Sequence, residues 1–488
     1  MLAFMAVRLK GFIRSLTSRS TYSSRLMMKS INFDPDLIRR YDVAGPRYTS
    51  YPTAASFKDF SAAEYQSQAK QSNEDLIPLP LSLYFHIPFC STVCFYCACN
   101  KIVTKNRQQA SQYLNYLFRE IELQAALYDP DRQVKQLHWG GGTPTFLDAE
   151  QIAALMAKTR QHFTLLTDDS GDYSIEIDPR SVSPATIQLL REQGFNRFSL
   201  GVQDIDERVQ RSVNRLQSTE QTFAIIQSCR AQQAKSISLD LIYGLPLQTL
   251  TSFSQTLTTV IDWSPDRISL FNYAHLPTLF MPQRRINSQE LPSSEEKLTI
   301  LQYAVDQLTA SGYVYIGMDH FAKPDDELAL AQQQGTLHRN FQGYTTHADC
   351  DLVAMGVSAI SKVADCYSQN EKTTDRYYAA LDAGNLAVTR GLSLTEDDRI
   401  RRYVIQQLTC QFAVDFSAAT HELNIDFPSY FESELKQLST LQADGLVELR
   451  PDKLVITASG RFLVRNICMV FDMSLKQANS TQRFSKVI

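Results

Sequence analysis

Short runs dominated by Ile, Leu, Val, Phe and Tyr recur from residue 81 onward, with longer stretches of helical spacing between them. They span residues 81–87, 134–139, 173–178, 197–202, 237–243, 267–273 and 313–318, and most give way to Gly or Pro, which predicts strands. Residues 183–194 show the intervening pattern: Ser183 suits an N-cap, Pro184 the first helical position and Gly194 the residue after the C-cap, while Ile187, Leu189 and Leu190 supply an apolar face. Strand alternating with helix over more than 200 residues implies a parallel sheet, open or closed into a partial barrel. In that architecture chemistry sits at the C-terminal strand ends. Beyond about residue 395 the texture changes to helix, strand (445–449), turn and strand (454–456), like a winged-helix module.

Composition narrows this picture. The 488 residues are 44% hydrophobic and 20% charged, within the globular range, and the net charge of -4 gives no electrostatic reason to expect nucleic-acid binding. The winged-helix-like region tilts only slightly basic, so a structural or lid role is favoured there over DNA binding. No run of about 18 uncharged apolar residues occurs, so no membrane span is expected. The N-terminal stretch carries Arg8, Lys10, Arg14, Arg19 and Arg25, many serines and no acidic residue. It reads either as a transit-like targeting segment or as an extended start outside the working protein.

Of nine cysteines, four (Cys90, Cys94, Cys97 and Cys99) fall within ten residues and five are scattered. An odd, clustered set in a long chain points to a metal or cluster site in a reducing compartment rather than to disulfides. The spacing C-x3-C-x2-C lets three thiolates from one loop hold three corners of an iron–sulfur cubane and leaves one iron open. A closed zinc knot using all four cysteines is the alternative. Against it, the loop follows a buried strand and no second C-x2-C pair exists.

This loop after the first strand of a β/α array resembles the radical S-adenosylmethionine superfamily. The string from Tyr84 to Asn100, with Tyr96 and the extra Cys99, is similar to one member family, the oxygen-independent coproporphyrinogen III oxidases. So are GPRYTSYP at 45–52, HWGGGTPT at 138–145, IEIDPR at 175–180, GVQD at 201–204, DLIYGLP at 240–246, NYAHLP at 272–277, GMDHFA at 317–322 and NFQGYTT at 340–346. The resemblance runs from about residue 31 to the C-terminus. It implies a partial (β/α)6-type radical SAM barrel of the α/β class with an N-terminal extension and a mostly helical, winged-helix-like C-terminal domain. The expected division is a dispensable or targeting-like extension at 1–30, a lid segment at 31–80, the catalytic barrel at 81–395 and the C-terminal domain at 396–488.

The resemblance also implies residue roles. Cys90, Cys94 and Cys97 would ligate a 4Fe-4S cluster whose fourth iron binds S-adenosylmethionine. Tyr84, Tyr96, Gly141, Gly142, Glu176 and Ile360 would contact this first cofactor molecule; Thr143, Gln203, Arg215, Asp240 and Ala274 would hold a second. Read alone, the glycines could be a turn, Arg215 an ordinary surface arginine and Ile360 core. His86 shares a strand face with Tyr84 and lies near the cluster, a catalytic candidate against the plainer reading of a packed histidine. Cys99 is the second catalytic candidate, against a free core thiol. Arg47 is a candidate propionate contact.

The implied reaction is oxidative decarboxylation of two propionates of coproporphyrinogen III to vinyls, giving protoporphyrinogen IX in haem biosynthesis by means of a 5′-deoxyadenosyl radical. The implied setting is a cytoplasmic monomer reduced by a flavodoxin or ferredoxin. Alternatives are a haem chaperone, whose relatives lack the second-cofactor residues and carry Phe where Cys99 stands, and a radical enzyme that modifies the haem ring.

Overall fold

The computed structural model describes residues 31–348 and 350–477; the targeting-like stretch and residues 478–488 of the expected C-terminal domain lie outside them. Six strands, β1 (Leu81–Ile87), β2 (Gln133–Gly141), β3 (Asp172–Ile177), β4 (Arg197–Gln203), β5 (Ser236–Tyr243) and β6 (Arg267–Asn272), lie side by side in chain order and parallel. The connections carry helices α1 (Gln108–Ala125), α2 (Ala149–His162), α3 (Pro184–Glu192), α4 (Glu207–Ser212), α5 (Thr219–Ala231) and α6 (Leu250–Asp262). α3 forms as its sequence dictates: Ser183 Oγ accepts from the Thr186 amide, Pro184 opens the first turn, and Gly194, at φ +97°, takes the left-handed conformation that ends it.

Strand alternation sorts the two faces of the sheet. Leu83, Phe85 and Ile87 of β1, Ile175 and Ile177 of β3, Phe198 and Leu200 of β4, and Leu239 and Leu241 of β5 belong to one continuous core shared with the helices. Each such side chain contributes about 1.5–3 kcal/mol by leaving water. The intervening positions turn inward and are polar: one register row reads Tyr84, His138, Ser174, Arg197 and Ser236 across five strands. The interior is therefore not the layered aliphatic plug that fills many β/α barrels.

The sheet is mixed and open, and it departs from the simple alternation in two ways. The expected strand at 313–318 forms as β7 (Val314–Gly317), but β8 (His320–Ala322) folds back and inserts antiparallel between β7 and β6. At the other edge β9 (Asp351–Met355) pairs parallel with β1, followed by the antiparallel strands β10 (Ile360–Val363), β11 (Cys366–Asn370) and β12 (Val388–Ser393). Lys58 and Asp59 of the N-terminal segment pair with β12, so that segment is woven into the sheet edge.

Beyond Ser393, α7 (Glu396–Gln411) leads into a small sheet of β13 (Ala413–Asp415), β14 (Val447–Leu449) and β15 (Lys453–Ile456), with α8 (Glu432–Ala443) before β14. This module grips the N-terminal segment. Tyr48 donates to Asp472 at 3.0 Å, and buried Arg465 donates to the Pro46 carbonyl at 2.9 Å. No helix among the described residues is long and apolar enough to cross a membrane.

Candidate active site

The cysteine loop leaves β1 at Pro88 and is pinned at both ends. The Gly142 amide donates to Ile87 O at 2.9 Å and the Thr143 amide to Phe89 O at 2.8 Å. Gly142 is required for this approach, because a Cβ there would sit 2.7 Å from the Pro88 backbone. At the far end His86 Nε2 donates to the Asn100 carbonyl at 2.9 Å, which leaves Nδ1 to accept from the Tyr84 hydroxyl at 3.2 Å. Burial lowers the His86 pKa, in keeping with this neutral tautomer. The ring lies against Gly141, where a Cβ would meet it at 2.5 Å. His86 does not line the cavity described next but lies against Gly141, which does.

A cavity of about 590 Å³ opens at the C-terminal ends of β2 to β5, within the range of roughly 300–1,000 Å³ for small-molecule sites. Cys90, Cys94, Cys97 and Cys99 all reach its wall, as do Tyr96, Gly141, Gly142 and Thr143. Glu176, Gln203, Arg215 and Asp240 line it too. Besides His86, three residues expected at the cofactor sites stand apart. Tyr84 stacks on His138 with centroids 5.7 Å apart. Ala274 is tied to the loop indirectly, since Gln283 Nε2 donates to both Tyr96 O and Ala274 O. Ile360 packs with Phe57 and Tyr367, off the cavity.

The electrostatics separate the carboxylates. Burial opposes the charge of Glu176, but the His138 hydrogen bond at 3.4 Å and the Gly141 amide at 3.2 Å outweigh it and hold the carboxyl below its usual range. Asp240 is pushed up to about 6 by burial, with nearby Glu176 adding to the shift. Arg215 pairs with Asp178 at 3.2 Å, donates to Gly201 O at 2.7 Å and points Nη1 at Cys94 Sγ, 3.6 Å away. Cys97 is drawn down to about 6, first by the hydrogen bond from Cys99 and further by Lys101. The other five cysteines are buried.

The donor set fits a cluster. The thiols reach one wall, and cationic groups face them. Two features fit an organic ligand: the Oε1 atom of Gln203 is buried with no hydrogen-bond partner, and Gln203 holds φ +68°, an uncommon conformation for a side-chain-bearing residue.

Sequence reasoning placed Asp178 beside Glu176 on the inward strand face but passed over His138, Arg180 and Lys101. His138 orients Glu176, with Nδ1 2.5 Å from Ser174 Oγ. Its position two residues before Gly140, on the inward face, was the available signal. Arg180 binds Asp178 at 2.6 Å and lies 3.6 Å from Cys94 Sγ, a convergence that strand spacing does not reveal.

Comparison with known proteins accounts for this arrangement over the whole chain. Residues 84–260 match the radical SAM superfamily model and residues 394–463 the HemN C-terminal domain model. The oxygen-independent coproporphyrinogen III oxidase of Pseudomonas aeruginosa is 55% identical over 462 residues, 95% of this chain and 100% of that protein. The enzyme of the same name from Escherichia coli is 49% identical over 464 residues, again 95% of this chain and 100% of the relative. The solved structure described as coproporphyrinogen III oxidase (HemN) from Escherichia coli, a radical SAM enzyme, superposes with TM-score 0.87 at 48% identity, covering 91% of this chain and 100% of that one. With the cysteine loop, the inward carboxylates and the C-terminal module all within the matched span, the chain belongs to the oxygen-independent coproporphyrinogen III oxidases of the radical S-adenosylmethionine superfamily.

Proposed function

We propose that the protein removes the carboxyl groups of two propionate side chains of coproporphyrinogen III, leaving vinyls and giving protoporphyrinogen IX, without oxygen. The observation that carries this reading is the convergence of three loop thiols, Glu176 and Arg215 on one cavity in a chain 55% identical to an oxidase of that name. A 4Fe-4S cluster and S-adenosylmethionine, when bound, supply a 5′-deoxyadenosyl radical, an oxidant strong enough for an unactivated C–H bond.

Cys90, Cys94 and Cys97 would hold the cluster, and the low pKa of Cys97 favours the ligating thiolate. Gly141, Gly142, Glu176 and Tyr96 would hold the first S-adenosylmethionine. Glu176, kept charged by His138, suits an ammonium or a ribose hydroxyl. Thr143, Gln203, Arg215 and Asp240 would hold a second molecule, with the unpartnered Gln203 Oε1 as an acceptor and Arg215 as a carboxylate partner. Tyr84, His86 and Ala274 would act through these residues, fixing the loop and strand ends. Cys99 faces the cavity outside the ligand triad and is available to substrate. The N-terminal segment and the C-terminal module, already bonded to each other, would close over the site and exclude water from a radical step. A small low-potential electron carrier and a monomeric cytoplasmic enzyme complete the reading.

Anaerobic reconstitution with iron, sulfide, reductant, S-adenosylmethionine and coproporphyrinogen III tests it. Vinyl product should appear with 5′-deoxyadenosine. Cofactor cleavage without any vinyl product would favour the chaperone or ring-modifying alternatives instead.

A further inference from the structure

A second enclosed space, of about 60 Å³, lies apart from the cysteine loop, between the N-terminal residues Tyr48 and Tyr51, the hairpin of His338–Asn340 and Gly343–Thr345, β10 and α7. Its charged lining has one sign: Arg339, Lys362 and Arg402, accompanied by His338 and His347, with no carboxylate among the described residues. Arg339 is only 9% exposed, and its Nε and Nη1 hydrogen-bond to nothing. The guanidinium sits 4.7 Å over the Tyr344 ring, a face that attracts a cation but offers no acceptor in place of a lone pair.

Three carboxylates on neighbouring elements have partners of their own, while the buried Asp319 acts on Arg339 electrostatically. Asp351 binds Arg132 at 2.7 Å, Asp365 binds Arg399 at 2.8 Å, and Asp398 accepts from Thr395 at the start of α7. Burial pushes the Lys362 ammonium down to about 8, with Arg402 adding to the shift and Asp351 and Asp365 only partly offsetting it. A buried guanidinium with two nitrogens lacking an acceptor is costly, and an anion supplied from outside relieves that cost.

We propose that this cavity is a carboxylate site that receives one propionate of the substrate, with Arg339 donating through Nε and Nη1 and with Lys362 and Arg402 beside it. The assignment rests on the substrate given above. A cavity needs about 10–15 Å³ of such space to hold one water, so a space of about 60 Å³ has room for the carboxylate end of a propionate arm. Coproporphyrinogen III has four such arms and the reaction consumes two, so two remain as handles whose binding energy can position the reacting ones. The cavity is also in series with the reaction site. Thr345 lines both it and the barrel interior, and the barrel interior shares Glu176 and Asp240 with the cysteine-lined cavity.

The test uses the reconstituted full-length enzyme and three probes: coproporphyrin III, its tetramethyl ester and free propionate. For the wild type, coproporphyrin III should bind, propionate should displace it, and the ester should bind weakly. Arg339→Gln and Lys362→Met should each raise the dissociation constant for coproporphyrin III about tenfold or more. Both should leave ester affinity and S-adenosylmethionine affinity unchanged, and Arg339→Gln should melt no lower than wild type. Unchanged porphyrin affinity in a folded Arg339→Gln protein would overturn the proposal, as would propionate binding that the variant loses while porphyrin affinity stays the same. Failure of the substrate reading looks different: wild type would not turn over coproporphyrinogen III, yet propionate would still bind wild type and not Arg339→Gln, and the carboxylate site itself would stand.

Discussion

The two faces of the same six parallel strands obey opposite rules. On the helix-facing side Trp139, Ile175, Phe198 and Leu239 are sealed, and the position of each is decided by packing. On the inner side, one residue along each strand, His138, Glu176, Ser199 and Asp240 line cavities. The backbone is shared, so a period of two is all that separates the residues that hold the fold from those that do the chemistry. Stability and function should then respond independently to substitution.

The largest separation should come from Cys94→Ser. Product formation under anaerobic assay should fall by about 10⁴-fold or more as a cluster thiolate is lost, while the apoprotein melts within a few degrees of wild type. The mirror image is Trp139→Ala on the outer face. It should cost about 3–5 kcal/mol in a denaturant titration yet leave the folded fraction active; an inactive but stable variant would break the comparison. Glu176→Gln should lower kcat/KM by about 10- to 150-fold, the worth of a hydrogen bond to a charged group at about 1.5–3 kcal/mol, with no loss of stability.

The smallest effect is a pH dependence. The folded-state pKa of Asp240 is raised to about 6, above an unfolded value of about 3.9. The native state therefore binds more protons than the unfolded chain between these values, and stability falls as pH rises through that window. Asp240→Asn cannot ionise, so it should match wild type near pH 4 and exceed it by at most about 3 kcal/mol at pH 7. Equal pH slopes for the two proteins in chemical denaturation would show that the inner face is better solvated than its burial implies. Glu120, in the helical layer, is also raised to about 6 by burial, but Gly356 N, Asn370 Nδ2 and Tyr377 OH all donate to it. Glu120→Ala should accordingly destabilise, in contrast to Asp240→Asn.

Much of this was legible along the chain. The alternation in β1 to β6 marked strands and faces together, because a half-buried strand must alternate, and helix α3 announced both its ends through Ser183, Pro184 and Gly194. The spacing of Cys90, Cys94 and Cys97 was equally visible, because all three lie within one short loop. The N-terminal strand pair and β9 were not legible. Asp351 meets Leu81 and Lys58 meets Gly391 across hundreds of residues, and no local pattern records such a pairing.

The sequence by itself therefore determined the strand and helix series, the inward and outward faces, and the three-thiol loop, since each depends on neighbours within a few residues. Only the tertiary structure decided that β8 inserts between β6 and β7, that His86 bonds the Asn100 carbonyl at the far end of the loop, and that Nε and Nη1 of Arg339 are buried without an acceptor. These depend on which distant groups desolvate one another, and burial and electrostatics are properties of the assembled surroundings rather than of any segment.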